Sequence, residues 1–275
     1  MRKRKLIQKM CVLALTFAML TAPISYAEGE TFDERIEQEE VEAVLGQGEE
    51  QGEVQKPEVP GETGTPGWFL QGSDWYYYDV SGEKAVGWRA INGAWYYFDG
   101  GNTEKPGLML ADGKYDIGGQ VYFFNTSGAM QSGWILRPEG WYYTNGSGAM
   151  LTGWQSIGGA WYYMDGTNET YPGRMAENEK KIIGDATYFF AVGGLMRTGW
   201  VQEPEGWYYA AESGNQIAGW AQVGGAWYYL DPENEDYPGL MLADEKKVIG
   251  NATYFFDGSG AMRMDWISQP EGWYY

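Results

Sequence analysis

From residue 67 onward the chain repeats one hydrophobic pattern: a Gly-Trp pair, a polar turn, an aromatic triplet, a glycine-rich turn, and Gly-Trp again. The stretch Gly133–Trp154 shows it in full. Gly133-Trp134 opens, Pro138-Glu139-Gly140 turns the chain, Trp141-Tyr142-Tyr143 follows, and a turn ending in Met150 leads to Gly153-Trp154. Runs of Trp, Tyr and Phe favour strands. The segments between them, such as Ile91-Asn92-Gly93 and Ile157-Gly158-Gly159, carry turn chemistry. Each unit therefore predicts a β-hairpin. Side chains alternate between faces along a strand, so Trp141 and Tyr143 share one face and Tyr142 takes the other. An isolated hairpin is marginal in water, which makes stacking of units a condition for folding.

The triplets begin at Trp75, Trp95, Trp141, Trp161, Trp207, Trp227 and Trp273, with degenerate versions at Val121, Thr187 and Thr253. Equivalent positions recur every 66 residues, in steps of 20, 26 and 20. A fixed short period predicts a solenoid rather than a globule around one core. The extra residues of the 26-residue step fall in 100–107, 166–173 and 232–239. An expansion at the same place in every period predicts a surface loop on one side of the stack.

The N-terminal part reads differently. Residues 1–27 have the form of a secretory signal: a basic start (Arg2, Lys3, Arg4, Lys5, Lys9), an apolar run over Val12–Leu20, and Ser25-Tyr26-Ala27 before a cut. The apolar run is short against the roughly 20 residues that a membrane span needs, so cleavage is expected, and Cys11 is discarded with the signal. Residues 28–66 are rich in Glu, with Pro57, Pro60 and Pro66 in the second half. Few large apolar residues stand there to offset the entropy of ordering, so a disordered acidic linker is expected. Phe32, Ile36 and Val41 are the apolar residues compatible with a transient helix around residues 31–45, but a solvated linker is the preferred reading.

Composition narrows the chemistry. Aromatics make up 17% of the chain and 41 residues are glycine, a balance suited to short aromatic strands and tight turns. The net charge of −19 is the reverse of a nucleic-acid footprint and disfavours anionic membranes. The chain has no histidine, and its one cysteine is Cys11. Nucleophilic Cys/His or Ser/His chemistry and His/Cys zinc sites are thereby excluded for the mature chain, and no cofactor is implied. Asp99, Asp165 and Asp231 recur with the repeat, as turn residues do. A catalytic pair would stand at one unique place, so the chain is not expected to be an enzyme.

The motif Gly-Trp, Trp-Tyr-Tyr, Gly-X-Met, Gly-Trp resembles the choline-binding, or cell-wall-binding, repeats of Gram-positive surface proteins, over residues 67–275. Related repeats occur in glucan-binding regions of glucansucrases and in receptor-binding repeats of clostridial toxins. The resemblance implies an all-β solenoid of stacked hairpins in a left-handed superhelix, with about three hairpins to each turn. The 66-residue period would then be one turn of the superhelix.

The resemblance also implies a ligand cage. The family builds it from the Gly-Trp tryptophan of one hairpin, an aromatic from its second strand, and the tryptophan opening the next hairpin, with methionine as a fourth wall. Trp134, Trp141, Trp154 and Met150 match this pattern completely. Trp200, Trp207 and Trp220 match its aromatics, with Gln216 at the Met position, as do Trp68, Trp75 and Trp88, with Lys84 there. At the other junctions the next opening Trp gives way to Lys114, Lys180 or Lys246. One good cage per superhelical turn is the resulting expectation.

A quaternary ammonium donates no hydrogen bonds, and aromatic faces attract it at roughly 0.5–2 kcal/mol per ring. The expected function is a secreted, non-catalytic module, associated with the cell surface or wall, that captures choline on teichoic or lipoteichoic acid. The alternative is a glycan-binding array, with residues of Gly72–Asp74, Asn92 and Gln155 bonding sugar hydroxyls. A further alternative is the targeting module of a truncated wall hydrolase, because Trp273-Tyr274-Tyr275 falls inside an incomplete repeat.

Overall fold

The computed structural model describes residues 65–270 and 272–274. The signal, the acidic linker and any transient helix around 31–45 lie outside the described residues. Ten antiparallel hairpins follow one another in chain order, each forming a sheet of its own among the described residues. The first period holds Gly67–Gln71 with Asp74–Tyr78, Gly87–Ile91 with Ala94–Asp99, and Gly113–Ile117 with Gln120–Phe124. The second holds Gly133–Arg137 with Gly140–Thr144, Gly153–Ile157 with Ala160–Asp165, and Glu179–Ile183 with Ala186–Phe190. The third holds Gly199–Glu203 with Gly206–Ala210, Gly219–Val223 with Ala226–Asp231, and Lys246–Ile249 with Ala252–Phe255. Ile267–Gln269 with Gly272–Tyr274 is the tenth. The all-β hairpin array expected from the sequence is what the chain forms.

Turn chemistry sets the register. Asn92 and Gly93 take φ of 51° and 85°, and Gly158 and Gly159 take 60° and 85°. Two consecutive positive φ values give the tight reversal whose twist matches paired strands. Trp154 consequently stands opposite Tyr163, and Gln155 opposite Tyr162.

The insertion in the second hairpin of each period is more than a surface loop. It returns as a short third strand: Leu108–Met109, Arg174–Met175 and Leu240–Met241. Asp99 starts the first copy: its Oδ1 accepts the Gly101 amide at 2.9 Å, and its carbonyl accepts the Gly107 amide at 2.7 Å. Met109 then pairs with Phe98, and Met175 with Met164. Burial of Met109 and Met175 gives the returning strand an apolar anchor.

The core is strung along the array rather than gathered at one centre. The central tyrosine of the triplet faces inward, and Tyr96, Tyr142 and Tyr208 are each 0% exposed. Backbone bonds tie each glycine-rich turn to the preceding hairpin: Met130 N donates to Trp95 O at 2.8 Å, and Met150 N to Val121 O at 2.8 Å. The methionine side chain then covers a glycine of the following hairpin. A Cβ at Gly148, where φ is +81°, would overlap the Met130 thioether. The same fit joins Met150 to Gly173 and Met175 to Gly194.

Candidate binding site

The opening tryptophan of a hairpin stands on the same face as the first and third residues of the triplet, and that face packs on the next hairpin. Trp134 meets Trp141 at 6.1 Å between ring centroids and 88° between planes, and Tyr143 at 4.9 Å. The floor is Tyr162, the central tyrosine of the next triplet, 5.0 Å from Trp134. Two perpendicular indoles thus form a corner above a phenol.

This four-ring arrangement recurs at six junctions. Trp68 meets Trp75 at 6.2 Å and Tyr96 at 4.9 Å; Trp88 meets Trp95 at 6.5 Å and Tyr122 at 4.7 Å. Trp154 meets Trp161 at 6.4 Å and Tyr188 at 4.7 Å; Trp200 meets Trp207 at 6.5 Å and Tyr228 at 4.7 Å. Trp220 meets Trp227 at 6.3 Å and Tyr254 at 4.7 Å. At four corners the second indole is exposed, Trp95 and Trp161 at 48%, whereas Trp75 and Trp141 are half-buried. Exposed indole faces in a concave corner attract cations through the ring quadrupole.

The sequence-derived sets therefore divide in a particular way. Trp134 and Trp141 come together, as do Trp68 with Trp75 and Trp200 with Trp207. The third member of each set, Trp154, Trp88 or Trp220, opens the next corner with Trp161, Trp95 or Trp227. Met150 packs with Phe123, Ile135 and Tyr142, whereas Trp134, Trp141 and Tyr143 pack with Tyr162, Met164 and Met175. Lys84 holds its ammonium 4.0 Å above Tyr76, the central and buried member of its triplet. The floor tyrosines were not singled out from sequence. The face alternation that puts Tyr142 opposite Trp141 carried the signal, but which hairpin lies beneath which depends on the stacking.

The remaining junctions have the same frame with different contents. Lys114 stands opposite Phe123, where Trp134 stands opposite Tyr143. Its ammonium lies 4.7 Å over the Tyr142 ring and donates to Pro172 O at 2.7 Å. Lys180 lies 4.5 Å over Tyr208, 3.1 Å from Glu205 Oε1 and 3.2 Å from the Tyr208 hydroxyl. That hydroxyl donates to Glu205 at 2.7 Å, as Tyr142 does to Glu139 at 3.0 Å. The glutamates come from the Pro-Glu-Gly turns, which occur in the hairpin that follows a lysine hairpin. Burial, and then the bond to the glutamate, pushes both tyrosine hydroxyls well above their ordinary range. Burial pushes the Lys114 ammonium down, against the attraction of Glu139. The bond from Tyr208 chiefly holds the Glu205 carboxyl below its usual range.

Fold and site together define a repeat protein of stacked hairpins whose junctions carry aromatic corners. A family profile described as the choline-binding repeat matches residues 66–105 and 111–152. A second, described as the putative cell wall binding repeat, matches residues 152–167, 198–215, 218–233 and 246–262. The chain belongs to this choline-binding, cell-wall-binding repeat family.

Solved structures agree. Choline binding protein F from Streptococcus pneumoniae, solved with a peptidoglycan analogue, is 29% identical with a TM-score of 0.57; the match covers 69% of this chain and 61% of that one. CbpJ from Streptococcus pneumoniae is 25% identical with a TM-score of 0.54, over 76% of this chain and 85% of that one. The match thus spans less than two thirds of choline binding protein F. No curated protein sequence matches the chain. Among the described residues, no helix is long and apolar enough to cross a membrane.

Proposed function

We propose that the array is a non-catalytic attachment module that captures choline groups of teichoic or lipoteichoic acid in its aromatic corners, on the outside of a Gram-positive cell. The observation that carries this reading is the perpendicular Trp pair over a tyrosine floor, repeated along the chain. A trimethylammonium group fits such a corner, because it needs no hydrogen-bond partner and gains from every π face it touches. Each corner is a weak site, since a few rings at roughly 0.5–2 kcal/mol must also offset the entropy of capture. Several corners on one chain meeting several cholines on one polymer raise the effective concentration, so avidity supplies the hold. The charge of −19 favours the cationic head group and opposes the polymer's phosphates, which keeps single contacts reversible.

The test is retention of the chain on choline-agarose and its release by free choline. Passage through that column, together with retention on a glucan matrix, would replace this reading with the glycan-binding one.

A further inference from the structure

Three carboxylates occupy the same place in successive periods: Asp99, Asp165 and Asp231, at the start of each insertion. In every copy Oδ1 is used locally, accepting the Gly101 amide at 2.9 Å, the Thr167 amide at 2.9 Å and the Glu233 amide at 3.0 Å. Oδ2 is where they differ. Asp165 Oδ2 holds the Lys181 ammonium at 2.7 Å, and Asp231 Oδ2 holds that of Lys247 at 2.7 Å. Both carboxylates are buried beneath their lysines.

In the first period the lysine position is Tyr115. It stands opposite Tyr122, as Lys181 stands opposite Tyr188 and Lys247 opposite Tyr254. The Tyr115 hydroxyl is committed elsewhere, donating to Ala111 O at 2.7 Å. Its ring lies against Gly113, where a Cβ would come within 2.6 Å of it. The other periods have Glu179 and Glu245 at the Gly113 position, so glycine and tyrosine change together. No ion pair to Asp99 is present among the described residues, and a groove of about 760 Å³ opens beside it. Trp75, Tyr97 and Tyr115 line the groove with Asp99, Asp116 and Asn102. Asp74, also in its lining, is already paired with Lys105 at 2.6 Å.

We propose that this groove is a binding site for an aliphatic primary ammonium from outside the chain, seated on Asp99 Oδ2. The chain itself defines the ligand chemistry, because the two equivalent carboxylates each hold a primary ammonium at 2.7 Å. Such a group carries three donors for the carboxylate acceptors, and the aromatic walls favour its charge. The groove shares Trp75 with the Trp68 corner and Tyr97 with the Trp88 corner, but a quaternary ammonium has no donor to offer Asp99, so the carboxylate favours a primary one.

The test is calorimetric titration of the full chain with Nα-acetyl-lysinamide, alongside choline-agarose retention. One saturable site is expected. Asp99→Asn should weaken it by about tenfold or more, as loss of a charge-assisted hydrogen bond does. Tyr115→Lys should abolish it by supplying the lysine of the other periods, and Lys181→Ala should add a second site by freeing Asp165. All three should unfold cooperatively in urea and stay on choline-agarose. Absence of saturable binding to the wild-type chain would overturn the proposal, as would unchanged affinity in both Asp99→Asn and Tyr115→Lys. Loss of choline retention in the wild-type chain would count against the aromatic corners alone.

Discussion

The junction under Trp134 and the junction under Lys114 share one frame and hold opposite contents. In both, the first strand of one hairpin covers the central tyrosine of the next. At the first an indole stands 5.0 Å from Tyr162; at the second an ammonium stands 4.7 Å above Tyr142. The tryptophan junction has a second indole, Trp141, set perpendicular to the first, where the lysine hairpin has Val121. The lysine junction brings its own counter-charge instead, Glu139 or Glu205 from the Pro-Glu-Gly turn. An aromatic floor attracts a cation wherever it is left open. At the lysine junctions the chain supplies that cation itself; at the tryptophan junctions the opening indole covers the floor, leaving Tyr162 buried, and the exposed ring surface lies on second indoles such as Trp161. Two junctions in each period carry the indole pair; the expectation of one cage per turn came from requiring the next opening tryptophan as a third wall.

The largest effect should come from the floor, which both kinds of junction need. Tyr142→Ala removes a fully buried ring that packs against Phe123 at 5.1 Å and bonds Glu139. A loss of about 3–5 kcal/mol is expected, as for other large-to-small changes at buried aromatics. Tyr162→Ala at the tryptophan junction should cost a similar amount in urea unfolding. A clear inequality would show that one kind of junction is the true core and the other an ornament on it.

Next in size is the ligand effect, which should separate the two junctions. Trp134→Ala removes one wall of a corner and should weaken choline binding there by about 0.5–2 kcal/mol, the worth of one ring. Phe123→Leu, at the lysine junction, should lower the urea midpoint and leave choline affinity unchanged. Titration followed by indole fluorescence reads both variants. Equal weakening by the two would mean that choline senses the integrity of the array rather than particular rings.

The sequence carried the hairpins, their period and the inward face of the triplet, because strand alternation and turn chemistry are local. It also carried both tryptophans of three corners, Trp68 with Trp75, Trp134 with Trp141 and Trp200 with Trp207, but not Trp95, Trp161 or Trp227, the second indoles of the other three. The floor residues Tyr162 and Tyr188 were out of reach, since they join a corner only through the stacking of one hairpin on the next. The lysines read as losses at the opening-Trp position, and only their placement over Tyr142 and Tyr208 shows them as substitutes. The third strand was missed because two residues such as Leu108–Met109 give no periodicity to read.

Acid should act on a different lysine of the same strand. Burial works to raise the Asp165 carboxyl, but the bonds from Lys181 and Thr167 outweigh it and hold it below the ordinary range. Its folded value is thus depressed. The stabilisation is present above the unfolded value of about 3.9 and is lost as pH falls through the folded one. Wild-type and Asp165→Asn unfolding curves should differ near neutrality and converge in strong acid. A gap that persists at low pH would mean that Asp165 acts by its turn hydrogen bonds rather than by charge.

The smallest effect should come from replacing the internal cation itself. Lys180→Met keeps the length and apolar stem but removes the ammonium. What is lost is the attraction to Tyr208 and an ion pair with Glu205 whose lysine is 34% exposed. Exposed pairs and single cation–π contacts are each worth at most about 1 kcal/mol. What is gained is relief from desolvating the charge, while Glu205 keeps its 2.7 Å bond from the Tyr208 hydroxyl. These terms oppose each other, so the urea midpoint should move by no more than about 1 kcal/mol in free energy. The number of cholines bound should stay the same, because the methionine fills the space over Tyr208 and Thr187 still stands where a corner has its second indole. A loss of several kcal/mol would make the lysine a structural charge that the frame requires. An extra choline site would show instead that the floor tyrosine alone is enough to hold a cation, and that the lysine had been keeping it shut.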